Sequence, residues 1–341
     1  MPDTKFGFLP TVVGSMPQTD PSEACSQVVR YLKDIPAWPQ LPKRSFLENM
    51  YAQFSEGFPG IVIAGDKIHV DRSQDIDKPL ERLYTAYLEN DFEKFSISPD
   101  YGAGLAAFLE LGISPRAVKG QVTGPVTWGL TIADNEGKAI IWDDTLSDAA
   151  AKMLRLRAAW QESVLKRVSP LTIIFVDEPY MQSYGSSALV GLSREKVISL
   201  LQEVFGGISG IKGVHCCGNT DWSVLMDTDV DVINFDAYYY AESLSLYPSE
   251  VKRFLDRGGA IAWGIVPNDE ECLKGETVAS LKDRLEEAMA PFTRNGIPFR
   301  QLIEQGLLTP SDGFALLSVE VTGRALELLT ELSQTMRKKY L

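Results

Sequence analysis

Cysteine and histidine are scarce in this chain of 341 residues, which contains four cysteines and two histidines. Four cysteines, two of them adjacent, do not form the spaced framework of a disulfide-stabilised secreted protein. Basic residues are also in the minority, because the formal net charge is -13 at pH 7. The composition therefore argues against nucleic acid and anionic membrane surfaces as main partners, since both require a basic surface.

Long hydrophobic runs are missing as well. The segment from Met1 to Pro10 lacks the apolar core of a signal peptide, and no later run approaches the roughly 20 apolar residues of a membrane span. Together with the few cysteines, this predicts a soluble protein of the reducing cytoplasm. With 45% hydrophobic residues, the chain has enough apolar side chains for a large core.

Short apolar segments alternate with helix-like segments through most of the sequence, which favours parallel strands joined by helices. The strand candidates are 11–15, 36–42 (three prolines, equally compatible with a loop), 117–125, 171–179, 213–218, 230–237, 260–267 and 307–313. Eight such units predict a (β/α)8 TIM barrel, an α/β fold whose active site lies at the C-terminal strand ends. A doubly wound open sheet is the alternative, but the Gly-rich dinucleotide fingerprint that would support it is missing.

Two local patterns add to this architecture. Asp20-Pro21-Ser22-Glu23 combines an N-cap, a first-turn proline and an acidic residue, which predicts the start of a helix of about 15 residues. Residues 60–73 predict a small hairpin insertion that turns at Gly65-Asp66. Because α/β barrels of this length fold as one unit, residues 1–341 are predicted to form a single TIM-barrel domain.

Three of the scarce residues stand together in His215-Cys216-Cys217, where a short apolar run ends. Imidazole and thiolate are zinc ligands, and residues two apart on a strand point the same way. His215 and Cys217 are therefore candidate zinc ligands, whereas Cys216 is expected to face the opposite side. The alternative is a buried histidine beside two small hydrophobic residues.

Further ligands must come from other strand ends. Asp236 ends the next strand, and Asp312 lies in the turn of the last one. Each is a candidate ligand or an ordinary turn or helix-cap aspartate. Cys272 is another candidate, although its position well beyond a strand end favours a helix start.

Asp177 and Glu178 emerge together from a buried strand. Adjacent strand residues face opposite sides, so no more than one of the two points fully into a pocket. Either is a candidate for binding a substrate amino group or for general-base catalysis. The alternative is a carboxylate that lies at a helix N-terminus.

Taken in order, the strand ends resemble the catalytic C-terminal barrel of cobalamin-independent methionine synthase, within the superfamily that also contains uroporphyrinogen decarboxylase. The segments that carry the resemblance are 13–17, 119–127, 176–179, 215–217, 231–236 and 309–313. They extend over nearly the whole chain. The resemblance implies a zinc-dependent methyltransferase that acts on the thiol of homocysteine or of a similar small molecule.

The resemblance also implies a zinc ligand set of His215, Cys217, Asp236 and Asp312. The family has a glutamate at the position of Asp236 and a cysteine at that of Asp312. Aspartate keeps the charge of glutamate on a shorter arm. Aspartate in place of cysteine exchanges a soft ligand for a hard one, which is expected to weaken zinc binding.

The homocysteine site of the family corresponds to Gly14 and Ser15 for the carboxylate end and to Asp177 for the amino group. A histidine that the family carries after the seventh strand is missing from 266–268, and the 341 residues have no counterpart of the additional N-terminal barrel. A corrinoid protein is therefore a candidate methyl donor in place of methyl-folate.

Two other functions remain as alternatives. A lyase similar to uroporphyrinogen decarboxylase needs basic residues that grip a polycarboxylate, and Lys43 and Arg44 are the only candidates for this. A degenerate barrel that binds a ligand or a metal without turnover is the non-enzymatic alternative.

Overall fold

The computed structural model describes residues 5–341, apart from the side chain of Ala188. Its strands are β1 Leu9–Pro10, β2 Ile61–Ala64, β3 Lys67–Val70, β4 Val118–Thr123, β5 Thr172–Asp177, β6 Ile211–Cys216, β7 Val232–Asp236, β8 Ala260–Val266 and β9 Gly306–Pro310. Its α-helices are α1 Pro21–Tyr31, α2 Met50–Gln53, α3 Asp77–Glu89, α4 Ala103–Leu109, α5 Pro125–Thr131, α6 Asp144–Leu165, α7 Arg194–Phe205, α8 Trp222–Met226, α9 Ala241–Ser245, α10 Pro248–Asp256, α11 Glu270–Gly275, α12 Val278–Arg294, α13 Phe299–Glu304 and α14 Val319–Tyr340. None of the described helices is long and apolar enough to cross a membrane. The N-terminal segment is predicted not to be a signal peptide, and its residues 1–4 lie outside the described range.

Seven parallel strands form one curled sheet in the order β1-β9-β8-β7-β6-β5-β4. The first strand of the chain pairs with the last, as in a TIM barrel, and helices connect the neighbouring strands. The predicted α/β fold with a parallel sheet is therefore confirmed. The sheet contains seven of the eight predicted strands.

The position of the eighth strand is taken by the proline-rich segment 36–40. It forms two isolated parallel bridges, Ala37 with Lys119 of β4 and Gln40 with Ser15 beyond β1. Pro36 and Pro39 lack N–H groups, so the segment cannot build a continuous ladder. It nevertheless bridges the two edges of the curled sheet, and the fold is therefore TIM-barrel-like.

The strand alternation separates two layers of core. Ile173 and Phe175 of β5 pack with Ile211 in a cluster drawn mainly from the strands, which lies inside the barrel. Ile174 and Val176 instead belong to the large cluster between the sheet and the helices. Each strand thus sends every second side chain inward, which determines the residues that reach the mouth of the barrel.

Two local predictions from the sequence are confirmed. β2 and β3 form an antiparallel hairpin that turns at residues 65–66, and it lies outside the main sheet. Asp20 caps α1, because its carboxylate accepts the N–H of Glu23 at 2.9 Å. The helix is 11 residues long, shorter than expected.

The first strand was predicted at 11–15, and this boundary is wrong. Pairing with β9 is confined to Leu9 and Pro10, and within 11–15 only Ser15 forms an isolated bridge. Pro10 has no N–H to continue a ladder, and Gly14 has a φ of +153° that a side-chain-bearing residue rarely adopts. The residues after Pro10 therefore lead out of the sheet and line the mouth of the barrel.

Segment 36–40 is held in the ring by Trp38, which is fully buried and donates its Nε1–H to Gln161 of α6 at 3.0 Å. We expect Trp38→Ala to lower the free energy of unfolding by about 3–5 kcal/mol, since it removes a large buried ring. Urea denaturation measures this loss. Leu88→Ala, at a side chain that is 81% exposed, is the control and should change stability by no more than about 0.5 kcal/mol. Equal losses of stability in Trp38→Ala and Leu88→Ala would show that segment 36–40 is not part of the packed barrel.

Candidate functional site

Three side chains with metal-binding atoms meet at the C-terminal ends of the strands. They are His215 at the end of β6, Cys217 just beyond it, and Asp312 in the loop after β9. One ligand atom from each lies within 4.8 Å of the other two. Among the described residues, no other group of three or more His, Cys, Asp or Glu side chains has this geometry.

The orientation of His215 is fixed by Asn234 of β7. The Asn234 amide donates its Nδ2–H groups to the Ala262 carbonyl at 2.9 Å and to Thr309 Oγ1 at 2.8 Å, so its Oδ1 must be an acceptor. His215 Nδ1 lies 2.7 Å from this oxygen and therefore carries the proton. In the neutral imidazole, Nε2 then carries the free lone pair that a metal-ligating histidine requires.

Nε2 of His215 is buried and makes no well-formed hydrogen bond, and it lies 3.4 Å from Asp312 Oδ1. Burial opposes a charge on the imidazole, but Asp312 and Cys217 outweigh it and raise the pKa of His215 well above its ordinary value. Burial likewise opposes the charge of Asp312, yet His215 holds the pKa of that carboxyl below its usual range. This point in the structure favours a positive charge.

Asp236 does not join the group of three. Its Oδ1 accepts the backbone N–H groups of Tyr238 at 2.9 Å and Tyr239 at 2.8 Å. Burial raises the pKa of Asp236 to about 7, against the effect of these hydrogen bonds. The carboxylate therefore holds the turn after β7, the alternative that the sequence left open.

Asp177 faces the inside of the barrel beside His215, with which it is paired in the register of β5 and β6. Its Oδ1 is buried and has no hydrogen-bond partner. Burial raises the pKa of Asp177 to about 6, while Lys119 and His215 act in the opposite direction. A buried carboxylate oxygen without a donor is poised to receive one from a ligand.

Lys119 lies on the neighbouring strand β4 and is fully buried. Its ammonium group donates to the Val13 carbonyl at 2.6 Å and to Gln121 Oε1 at 3.2 Å, and lies 4.4 Å from the centre of the Phe175 ring. Burial lowers the pKa of Lys119 to about 8, and the charge of Asp177 opposes this shift. The barrel thus holds a cation close to Asp177.

Glu178 faces the other way, as alternation on a strand requires. Its two carboxylate oxygens accept the N–H groups of Val126 at 2.9 Å and Thr127 at 2.7 Å, at the start of α5. A Cβ at Gly124 would lie 2.1 Å from the Glu178 carboxyl carbon, so only glycine fits there. Burial raises the pKa of Glu178 to about 7. These contacts are those of a helix cap rather than of a catalytic base.

A cavity of about 280 Å³ opens in front of the group of three. Its lining residues are Val13, Ser15, Gln40, Pro42, Glu48, Asn49, Met50, Tyr51, Asp177, Pro179, His215, Asp312 and Ala315. Among residues 5–341, no Lys or Arg lines this cavity, whereas three carboxylates do.

Gly14 and Ser15 lie where the chain leaves the barrel. A Cβ on Gly14 would lie 2.7 Å from the side-chain carbonyl carbon of Gln121, so the backbone can pass there only as glycine. Ser15 lines the cavity, and its carbonyl accepts the N–H of Phe314 at 2.9 Å, which ties this segment to the loop after β9.

Glu48 is a cavity residue that sequence analysis missed. It is fully buried, its Oε1 accepts from Arg44 at 2.7 Å, and its Oε2 has no partner. Burial raises the pKa of Glu48, against the effect of Arg44. It belongs to a short segment after the proline-rich stretch, where no periodicity indicates which residues face the barrel. The sequence indicates a role only for its neighbours Lys43 and Arg44, as candidates for binding a polycarboxylate.

Cys272 lies apart from the group of three, near the start of α11. Its N–H donates to the carboxylate of Asp269, which caps that helix. The structure thus gives it the helix-start position that the sequence favoured.

No protein-family model and no curated protein matches this sequence. Two solved structures are similar over nearly their whole length. One is a B12-independent methionine synthase from Shewanella sp. W3-18-1 in complex with selenomethionine, with 15% identity, 97% of this chain and 98% of that chain covered, and a TM-score of 0.59. The other is a methyltransferase from Methanosarcina mazei, with 13% identity, 95% and 94% covered, and a TM-score of 0.58. At these identities the similarity shows the fold, and it confirms at that level the resemblance to cobalamin-independent methionine synthase.

Proposed function

We propose that this protein is a thiol S-methyltransferase that methylates homocysteine or a similar small aminothiol. The observation that carries the proposal is the convergence of His215 Nε2, Cys217 and Asp312 beside a cavity that also contains the unpaired oxygen of Asp177. The fold shared with a methionine synthase and a methyltransferase supports it. We further propose that the whole chain acts as a single barrel domain.

The residues fit a zinc ion. A buried imidazole nitrogen without a partner, a thiolate and a carboxylate are three protein ligands that leave a fourth position open, as in catalytic zinc sites. When bound, zinc would lower the pKa of an acceptor thiol so that it reacts as a thiolate near neutral pH. We propose three protein ligands rather than four, because Asp236 lies outside the group of three and its Oδ1 accepts two backbone N–H groups.

The cavity suits an acceptor that carries an amino group. Asp177 offers a buried carboxylate oxygen to an ammonium group. Ser15 lines the same cavity, at the position where the family resemblance implies the carboxylate end of homocysteine. A volume of about 280 Å³ accommodates a small amino acid and little more. Bound in this way, the acceptor would present its sulfur to the group of three ligands.

The alternative lyase function receives less support. A polycarboxylate substrate requires several cations, but the described part of the cavity wall contains three carboxylates and neither Lys nor Arg. Lys43 donates to the Leu317 carbonyl at 2.9 Å and Arg44 to Glu48, so both are engaged within the protein. The degenerate barrel differs from the proposed enzyme only in turnover, and an assay separates the two.

Purified protein should contain about one zinc ion per chain, held by three side chains. We expect Cys217→Ser to lose most of this zinc, because an alcohol is a far weaker ligand than a thiolate. Asp236→Asn is the matched control at the same strand ends and should retain it. Elemental analysis of the three proteins measures the outcome. A metal-free wild type, or equal metal in wild type and Cys217→Ser, would contradict the zinc site.

The hydrogen bond between Asn234 and His215 should increase metal affinity, because it fixes the orientation of the imidazole ring. We expect Asn234→Leu to weaken zinc binding about 10- to 100-fold, as is usual when the partner of a ligating histidine is lost. Thr309→Val removes one of the two acceptors of the Asn234 amide and leaves the His215 contact in place, so its effect should be smaller. Competition with a chromogenic chelator measures both affinities, and equal losses would argue against this role.

Thiol activation can be tested without knowing the natural donor, by using methyl iodide at pH 7. The wild type should accelerate conversion of homocysteine to methionine, and Cys217→Ser should not. Asp177→Asn should raise the KM for homocysteine about 10- to 100-fold through loss of a charged hydrogen bond. With 4-mercaptobutyrate, which lacks the amino group, Asp177→Asn should behave like the wild type. No acceleration by the metal-loaded wild type would favour the degenerate barrel.

A further inference from the structure

A second cavity extends from the same strand ends as the candidate metal site. It has a volume of about 490 Å³ and is lined by Asn219, Tyr238, Tyr239, Tyr240, Ala241, Glu242, Ser243 and Leu246. Asn219 follows Cys217 by two residues, and Tyr238 follows Asp236 by two. The cavity is therefore formed by the loop that follows the candidate ligand Cys217 and by the loop and helix α9 that follow β7.

Three consecutive tyrosines make this cavity aromatic. The rings of Tyr238 and Tyr239 lie with their centres 4.7 Å apart and their planes at 75°, so they form the two walls of a corner. Tyr238 is fixed from behind, because its hydroxyl donates to Glu276 at 2.7 Å and the Arg284 guanidinium covers its ring at 4.2 Å. Tyr239 and Tyr240 remain 44% exposed each. An aromatic corner of this kind attracts cations through the negative faces of its rings.

The charged residues around the cavity also favour a cationic ligand. Glu242 lines it, and within the described residues neither Lys nor Arg does. The cavity in front of His215 and Asp312 likewise has three carboxylates and neither Lys nor Arg among its described lining residues, in a chain whose net charge is -13. Low-dielectric clefts lined by one sign of charge concentrate ligands of the opposite sign. The Arg284 guanidinium behind Tyr238 is paired with Glu276 at 3.3 Å. An anionic methyl donor, such as a folate with its glutamate tail, therefore finds neither Lys nor Arg among the described residues that line the cavity.

We propose that the tyrosine cavity binds a small methylated onium cation, a quaternary ammonium or a tertiary sulfonium, as the methyl donor. This inference rests on the proposed thiol methylation and supplies its second substrate. It replaces the corrinoid protein that the sequence suggested as a candidate. Aromatic side chains are the usual recognition elements for methylated onium groups, because such cations cannot donate N–H hydrogen bonds.

The transfer balances without any further reactant. The acceptor thiol first releases its proton to solvent, and the lone pair of the thiolate forms a new bond to the methyl carbon. The bond between that carbon and the positively charged nitrogen or sulfur breaks, and its electron pair stays on the leaving atom. The products are a thioether and a neutral amine or sulfide, so no oxidant or reductant is consumed.

Binding of tetramethylammonium to the purified protein tests the site directly, with calorimetry at constant ionic strength. We expect Tyr239→Leu to weaken this binding about three- to thirtyfold, the range of cation–π contributions, and Tyr239→Phe to retain it because the ring remains. Tyr31→Leu, at the opposite end of the barrel beside Pro10, is the control. No binding by the wild type, or equal binding by Tyr239→Leu, would overturn the onium site.

The donor role is tested by methionine formation from homocysteine with tetramethylammonium, S-methylmethionine, methylcobalamin or methyl-folate. We expect one or both onium compounds to serve, with activity lost in Tyr239→Leu, while the methyl iodide reaction of that variant stays intact. Methylation from methylcobalamin or methyl-folate alone would overturn the donor role and leave thiol methylation standing. If methyl iodide also fails with the metal-loaded wild type, the proposed function itself is wrong.

Discussion

The hydrogen bond between His215 and Asn234 ties the candidate site to the barrel. Asn234 lies on β7 and accepts a hydrogen bond from His215 on β6. Its amide N–H groups donate to Ala262 on β8 and Thr309 on β9. One amide thus connects four neighbouring strands and selects the histidine tautomer. A slip of β7 by one residue would turn Asn234 towards the helices, and Nε2 of His215 would no longer be directed at Cys217 and Asp312. The chemistry of the site therefore depends on the register of the sheet.

Around this point the barrel is built to hold positive charge. Asp177, Glu48 and Asp312 all line the cavity of about 280 Å³, and two of them keep a buried oxygen without a hydrogen-bond partner. Lys119 balances part of this charge from inside the barrel, where its ammonium group is fully buried and lies 4.4 Å from the centre of the Phe175 ring. Burying several carboxylates is unfavourable unless cations accompany them. A metal ion, an amino group and an onium methyl donor are three cations that together would meet this requirement.

Strand periodicity predicted much of this arrangement. Strand alternation predicted that His215 and Cys216 face opposite sides, and Cys216 is indeed buried on the helix side. The order of the strand ends along the chain was the basis of the resemblance, which holds at the level of the fold. The proline-rich segment closes the barrel as isolated bridges, and a local pattern cannot distinguish these from a loop. The two backbone contacts of Asp236 depend on the path of a turn, and the cap formed by Glu178 depends on a helix 51 residues away. Glu48 reaches the cavity through the tertiary course of an aperiodic segment. Such long-range relations leave no periodic signal.

The proposed ligand set and the proposed donor support each other through charge. A neutral imidazole, one thiolate and one carboxylate supply two negative charges, which balance a divalent cation. The family set implied by the resemblance, with two cysteines and a glutamate, supplies three. A bound thiol in this chain would consequently be more acidic but less electron-rich, and nucleophilicity falls as the pKa of a thiol falls. A weaker nucleophile requires a more reactive methyl group. An onium donor meets this requirement, because its leaving atom already carries a positive charge and departs neutral without a proton donor.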